Sequence, residues 1–121
     1  MNITAIEQKA RALTEDIRNS DAFVEFAEVH EKVKKTKPHY REVNEIRRVY
    51  FKALSQDTEA GVRSAIEAMQ KKYAESLAKG YVKEFLEKEQ RCCMMVQQVY
   101  DILDENIRFD MAFMYETEED A

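Results

Sequence analysis

Glycine and proline are nearly absent from the sequence, which has two glycines and one proline in 121 residues. β-Hairpins need these residues at their tight turns, so the scarcity argues against a protein rich in strands. Every segment longer than ten residues instead has an apolar period near the 3.6 residues of an α-helix. The sequence therefore predicts an all-α protein.

Cysteine and long apolar runs are also scarce. The two cysteines, Cys92 and Cys93, are adjacent, no apolar run approaches 18 residues, and no signal-peptide hydrophobic region follows Met1. These absences favour a cytoplasmic protein with reduced thiols and without a membrane segment. At 121 residues, we expect one domain whose core needs neither a disulfide nor a metal ion.

Charge is abundant but unevenly distributed along the chain. The net charge is -5, which disfavours nucleic acid as the main partner. Residues 32–52 hold eight Lys or Arg against Glu42 and Glu45, whereas residues 101–121 hold eight Asp or Glu against Arg108. We expect these two oppositely charged segments to attract each other.

The apolar spacing predicts about five helices. The first begins at Ile3 and ends near Asn19, which we expect in a left-handed cap conformation, and Ser20 caps the second helix. Pro38 opens the third helix. Residues 55–58 predict a break before the fourth, although one continuous helix remains the alternative, and Gly80 is expected to close the fourth helix.

The longest predicted helix spans residues 81–115 and would be about 50 Å long. Five consecutive apolar residues, 92–96, surround its middle, and a helix that is apolar on all sides should be covered on all sides. We therefore predict that the four shorter helices, or a second copy of the chain, pack on this long C-terminal helix, within one domain of residues 1–115. The acidic segment 116–121 is predicted to be a disordered tail.

A helix of this length exceeds what four shorter helices can cover, and an uncovered apolar stripe favours association. We therefore predict a homodimer. Its candidate interface residues lie on the long helix: Cys92, Val96, Val99, Tyr100, Leu103, Ile107, Met111 and Met114. The C-terminal part of the helix is rich in methionine and aromatic residues, which suit either an adaptable docking surface or local core packing. These residues are Met94, Met95, Met111, Met114, Phe109, Phe113 and Tyr115.

A candidate basic patch surrounds the single proline. A solvated helical face, or one paired with the acidic C-terminal part, is favoured over an RNA-associated module. The patch consists of Lys32, Lys34, Lys35, Lys37, Arg41, Arg47 and Arg48.

No arrangement of nucleophile, base and orienting group can be assembled from the sequence, so we predict no catalytic residue and no enzyme. Adjacent helical cysteines point about 100° apart and cannot chelate one ion together, and zinc and di-iron ligand motifs are missing. We therefore expect buried free thiols, with no metal and no cofactor, although a redox- or metal-responsive role of Cys92 and Cys93 remains the alternative. His30 and His39 are predicted to be packed or solvated imidazoles.

Two segments resemble the YlbF/YmcA-like family, most closely its short YheA-type branch. In the first segment, Glu-Gln-Arg precedes apolar residues and a Gln: Glu84-Phe85-Leu86-Glu87-Lys88-Glu89-Gln90-Arg91-Cys92-Cys93-Met94-Met95-Val96-Gln97-Gln98-Val99. In the second segment, a serine separates the first two helices: Ile17-Arg18-Asn19-Ser20-Asp21-Ala22-Phe23. The resemblance covers residues 3–107.

The resemblance implies a small helical protein of Gram-positive bacteria without known catalytic residues. Better-studied members of the family act as adaptors linked to competence, biofilm formation, sporulation and RNase Y-dependent RNA processing. Some carry a cysteine-rich C-terminal tail tied to iron-sulfur binding. Residues 116–121 contain no cysteine, so cluster binding is not carried over. The resemblance thus favours a regulatory adaptor that contacts an unidentified protein partner.

Overall fold

The computed structural model describes residues 2–107, which form helices and no strand. The all-α prediction with a long C-terminal helix is confirmed. The end of that helix beyond residue 107, the domain boundary at residue 115 and the predicted disordered tail lie outside the described residues. The helices are α1 (Ile3–Arg18), α2 (Asp21–Lys34), α3 (Lys37–Leu54), α4 (Glu59–Lys72), α5 (Ala74–Leu77) and α6 (Gly80–Ile107).

Side-chain caps set the starts of three helices. The side chains of Asn2, Ser20 and Thr58 accept hydrogen bonds from backbone N–H groups of the first turns of α1, α2 and α4. These bonds satisfy donors that a helix start otherwise leaves free. The predicted Ser20 cap and the break at residues 55–58 are confirmed. Asn19 does not adopt the predicted left-handed conformation, because its φ is -90°.

The predicted end of the fourth helix at Gly80 is wrong. The helix ends at Lys72, Tyr73 interrupts it, the single turn α5 follows, and Gly80 opens α6 instead. The backbone N–H groups of Ala78 and Lys79 donate to carbonyls of α5, so this turn is closed without a residue of positive φ. A left-handed glycine is therefore not needed at the junction.

The core lies between α2, α3 and the first half of α6, with Met69 contributed by α4. Val43, Val82 and Phe85 have no exposed surface, and the ring of Phe26 packs edge-on against Phe85 with centroids 5.4 Å apart. The buried residues of this core are Val29, Val33, Val43, Ile46, Met69, Val82 and Phe85.

The order of contacts along α6 gives the helix directions. Glu25, early in α2, pairs with Lys88 and Arg91, whereas Lys32, near the end of α2, lies 4.0 Å from Glu84. The helices α2 and α6 are therefore antiparallel. On α3, Glu42 bonds Tyr81 and Arg47 bonds Glu89, so α3 runs parallel to α6.

The middle of α6 is covered on one side only. Cys92 is buried, Met95 and Val96 are half-buried, but Cys93 and Met94 are exposed. The prediction that residues 92–96 are surrounded is therefore wrong for a single chain, because α2 and α3 pack on one face of α6 and leave the rest of this turn open.

Candidate functional site

The second half of α6 presents an apolar stripe to solvent. Val96 and Val99 are half-buried, whereas Tyr100, Leu103 and Ile107 are 61%, 44% and 57% exposed. Their spacing of three and four residues puts all five on one side of the helix. We call these five residues the distal face. Of the other predicted interface residues, Cys92 is buried, and Met111 and Met114 lie outside the described residues.

The distal face is exposed because the bundle ends before α6 does. Ala22, in the first turn of α2, lies beside Arg91 and Met95, and Leu54, the last residue of α3, lies near Gln97. From there α6 continues for ten more residues, about 15 Å at helical rise. Every residue from 100 to 107 is exposed.

A second apolar stripe lies on α1, which buries none of its residues. Ile3, Ile6 and Leu13 are 66%, 52% and 39% exposed. The sequence shows this stripe clearly, but its spacing is the same as that of a core-facing helix. Its exposure was therefore not predictable from periodicity.

An open groove of about 460 Å³ lies between α3, α4 and the middle of α6. Phe51, Leu54 and Met94 line it and are about half exposed, and Cys93 lies in the same wall. Met94 therefore belongs to an accessible apolar surface. Phe51 and Leu54 cannot be recognised as surface residues from the sequence, because they follow the core residues Val43 and Ile46 at helical spacing.

The two thiols differ in exposure but not in the direction of their pKa shifts. Burial raises the pKa of Cys92 above its ordinary value. Burial and the nearby carboxylate of Glu89 raise the pKa of Cys93, while Arg47 opposes this. A raised pKa lowers the thiolate fraction at neutral pH and disfavours a reactive thiol. Within residues 2–107, no three His, Cys, Asp or Glu side chains converge in a way that could hold a metal ion.

Arg47 lies apart from the other residues of the predicted basic patch. Its guanidinium is 2.7 Å from the carboxylate of Glu89, donates to the Asn44 side chain at 3.0 Å, and lies 5.2 Å from the centre of the Phe85 ring. The Glu89 side chain is 12% exposed, so this ion pair is largely withdrawn from water. It joins α3 to α6 at the edge of the core.

The remaining basic residues are exposed along the end of α2 and the first two-thirds of α3. Lys32 lies near Glu84, and among the described residues the others have no carboxylate within 4.0 Å. These cations therefore form a solvated basic surface. We call the set the basic patch: Lys32, Lys34, Lys35, Lys37, Arg41 and Arg48.

Glu42, Lys79 and Tyr81 form a polar cluster, here called the Glu42 clasp, that joins α3 to the start of α6. Tyr81 donates to the Glu42 carboxylate at 2.6 Å, and the ammonium of Lys79 lies 3.1 Å from both carboxylate oxygens. The Tyr81 bond, followed by those from Ser76 and Lys79, lowers the pKa of Glu42 against the opposing effect of burial. His39 stacks on Tyr81 with ring centroids 3.9 Å apart, and His30 packs among Phe26, Tyr40 and Phe85.

None of the helices within residues 2–107 is both long and apolar enough to cross a membrane. The family model described as control of competence regulator ComK, YlbF/YmcA, matches residues 6–108. No curated protein and no solved structure is similar enough to match the chain.

Proposed function

Because the chain belongs to the YlbF/YmcA family of competence regulators, we propose that it is a non-enzymatic regulatory adaptor that acts as a homodimer. The family match supports a role in regulation. The observation that carries the proposal is the distal face, an apolar stripe on a helix that extends beyond its own bundle. Soluble proteins seldom leave such a patch uncovered, and patches of this kind mark protein contacts.

In this proposal the distal faces of two chains pack together about a two-fold axis. Such an interface is self-complementary, so one stripe covers the other. Leu103 and Val99 lie near its centre, and Val96 and Ile107 near its ends. The exposed stripe of α1 supports the same view, because it gives the chain additional apolar surface for association.

We assign the chain to the YheA-type branch of the family and place its action in the cytoplasm. The Glu89-Gln90-Arg91 motif and the serine between α1 and α2 support the branch. The pathway that the family implies is competence, biofilm formation, sporulation or RNA processing. The adaptor role requires a protein partner besides the second copy.

We assign the groove between α3, α4 and α6 to that partner. Its apolar lining and its methionine fit one apolar face of an amphipathic helix. Phe51→Glu should abolish capture of the partner from the native host while leaving the homodimer intact. Val24→Glu, at a 40% exposed position outside the groove, is the control and should leave capture unchanged. Equal capture by both variants would contradict this assignment.

The dimer is tested by a charge placed on the distal face. Leu103→Glu should convert the dimer to a monomer or aggregate, because a carboxylate buried without a partner costs several kcal/mol. Ile102→Glu is the matched control, since Ile102 is 60% exposed but lies about 100° around the helix from Leu103. Light scattering should give twice the chain mass for the control. The same mass for both variants would contradict the proposed interface.

A further inference from the structure

We propose that the basic patch of one chain binds the acidic side chains Glu116, Glu118, Glu119 and Asp120 of a second copy, across a dimer whose α6 helices are antiparallel. The inference rests on the homodimer of the proposed function. It adds a second contact, electrostatic and reciprocal, to the apolar one. Each dimer would contain this contact twice.

The first observation is the solvated cations on the described surface. Lys34, Lys35 and Lys37 follow one another at the end of α2 and the start of α3, and Arg41 lies one turn further along α3. All four are exposed and lack a carboxylate within 4.0 Å among residues 2–107. Like charges this close repel one another unless an anion neutralises them.

The second observation is the position of the acids in the sequence. Four carboxylates occur among the five residues 116–120, and no basic residue follows Arg108. Their charge is opposite to that of the basic patch and similar in magnitude. Charge complementarity of this kind guides association and fixes the orientation of partners.

The geometry of an antiparallel pair brings these two groups together. If the two-fold axis crosses midway between Val96 and Ile107, the partner's Glu84 lies about 26 Å from the axis at 1.5 Å per residue. Ile107 of the first chain lies about 8 Å from the axis on the same side. About 18 Å therefore separates Ile107 from the level of Glu84, which Lys32 marks on α2.

The chain beyond α6 covers that distance. The nine residues from 108 to 116 span about 13 Å at helical rise and about 30 Å when extended, so the acids at 116–120 reach the partner's basic patch over this whole range. Within one chain, the level of Glu84 lies about 35 Å back from Ile107. Glu116 falls short of it at about 30 Å of fully extended chain, and the acids at 118–120 reach it only when nearly the whole segment is extended.

Parallel pairing of the two α6 helices is disfavoured by the same charges. It would place both acidic segments side by side, together with Asp101, Asp104 and Glu105, which are exposed on both chains. Antiparallel pairing separates the two acidic segments and gives each of them a cationic partner. The charge distribution therefore selects the direction of pairing as well as the contact.

The test uses full-length chains with reversed charges. The patch-reversed chain carries Lys34→Glu and Lys35→Glu, and the tail-reversed chain carries Glu118→Lys and Glu119→Lys. The matched control carries Lys71→Glu and Lys72→Glu, two exposed lysines in the last turn of α4, as Lys34 is in the last turn of α2. Sedimentation measures the dimer dissociation constant at low and high salt, and circular dichroism checks folding.

Each reversed chain alone should dimerise at least about ten-fold more weakly than the unaltered chain at low salt, because two attractive contacts become repulsive. The control should match the unaltered chain. An equal mixture of the two reversed chains should restore dimerisation to the unaltered level, since every contact in the mixed dimer is again between opposite charges. High salt should reduce all these differences.

Three results would overturn the inference. The reversed chains could dimerise like the control, which would leave the apolar dimer intact and remove only the charge contact. The mixture could fail to restore dimerisation, which would place the contact within one chain. The patch-reversed chain could keep its dimer and lose binding of single-stranded RNA shown by the unaltered chain, which would assign the patch to nucleic acid. A monomeric unaltered chain would instead contradict the proposed function itself.

Discussion

At the scale of single residues, Arg47 shows how the environment changes the role of a charge. In the sequence it belongs to a run of cations, but in the fold it forms an ion pair with Glu89 beside Phe85. Both side chains are less than one-third exposed, so water screens this pair less than a surface pair.

Removal of Arg47 should therefore destabilise the protein. Arg47→Ala should lower the free energy of unfolding by about 2–3 kcal/mol, because it leaves the largely desolvated Glu89 carboxylate unpaired. Arg63→Ala is the control, since the Arg63–Glu59 pair is exposed on both sides and should contribute less than about 0.5 kcal/mol. Urea unfolding of both variants measures the difference, and equal losses would show that Arg47 adds nothing beyond a surface pair.

The Glu42 clasp makes part of the stability dependent on pH. Hydrogen bonds from Tyr81, Ser76 and Lys79 lower the pKa of Glu42 below its ordinary value of 4.5. Because the folded state binds the proton less readily than the unfolded state, this contribution is complete above pH 4.5 and is lost as the pH falls through the folded pKa.

Glu42→Gln should remove that dependence. The variant should be less stable than the unaltered chain at pH 7, and the difference should shrink as the pH falls below about 4. Glu67→Gln, on the exposed face of α4, serves as the control. Denaturant unfolding from pH 3 to pH 7 checks this, and a constant difference between Glu42→Gln and the unaltered chain would mean that the clasp does not act through the charge of Glu42.

At the scale of helices, the sides of α6 have different surroundings. Cys92 faces the bundle and Cys93 faces the groove, so neighbouring residues of one turn differ in access. The sequence predicts that both thiols are buried, which is wrong for Cys93, because its side of α6 is open to solvent.

Thiol labelling measures this difference along α6. In single-cysteine variants, Cys93 should react with an aromatic disulfide reagent faster than Cys92, and both should react more slowly than free cysteine because both pKa values are raised. The rates should increase as the pH rises. Faster labelling of Cys92 would mean that α2 does not cover α6 as described.

The presence of the helices and the residues that start them can be predicted from the sequence, because both depend on local chemistry. Ser20 and Thr58 can cap only the helix that follows them, and Pro38 lies in the first turn of α3. Periodicity identifies the apolar side of each helix, but what covers that side depends on packing between distant segments. The stripe containing Ile3 and Ile6 therefore has the same helical spacing as the stripe containing Val82 and Phe85, although only the second stripe is buried.

At the scale of the whole molecule, the bundle is shorter than its longest helix. The core packs against one side of the first half of α6, while the distal face and α1 leave apolar side chains in water. Among the described residues, the acids at the end of α6, Asp101, Asp104 and Glu105, are also distant from the basic patch, which lies near the start of that helix. In the proposed dimer, a second copy in antiparallel orientation relieves both features.

The mass of the unaltered chain in solution tests this view most directly. Multi-angle light scattering at micromolar concentration should give twice the 14.3 kDa of one chain, and the unfolding midpoint should rise with protein concentration, because dissociation and unfolding are then coupled. A mass of one chain, with an unfolding midpoint that does not depend on concentration, would contradict the dimer and with it the role of the distal face.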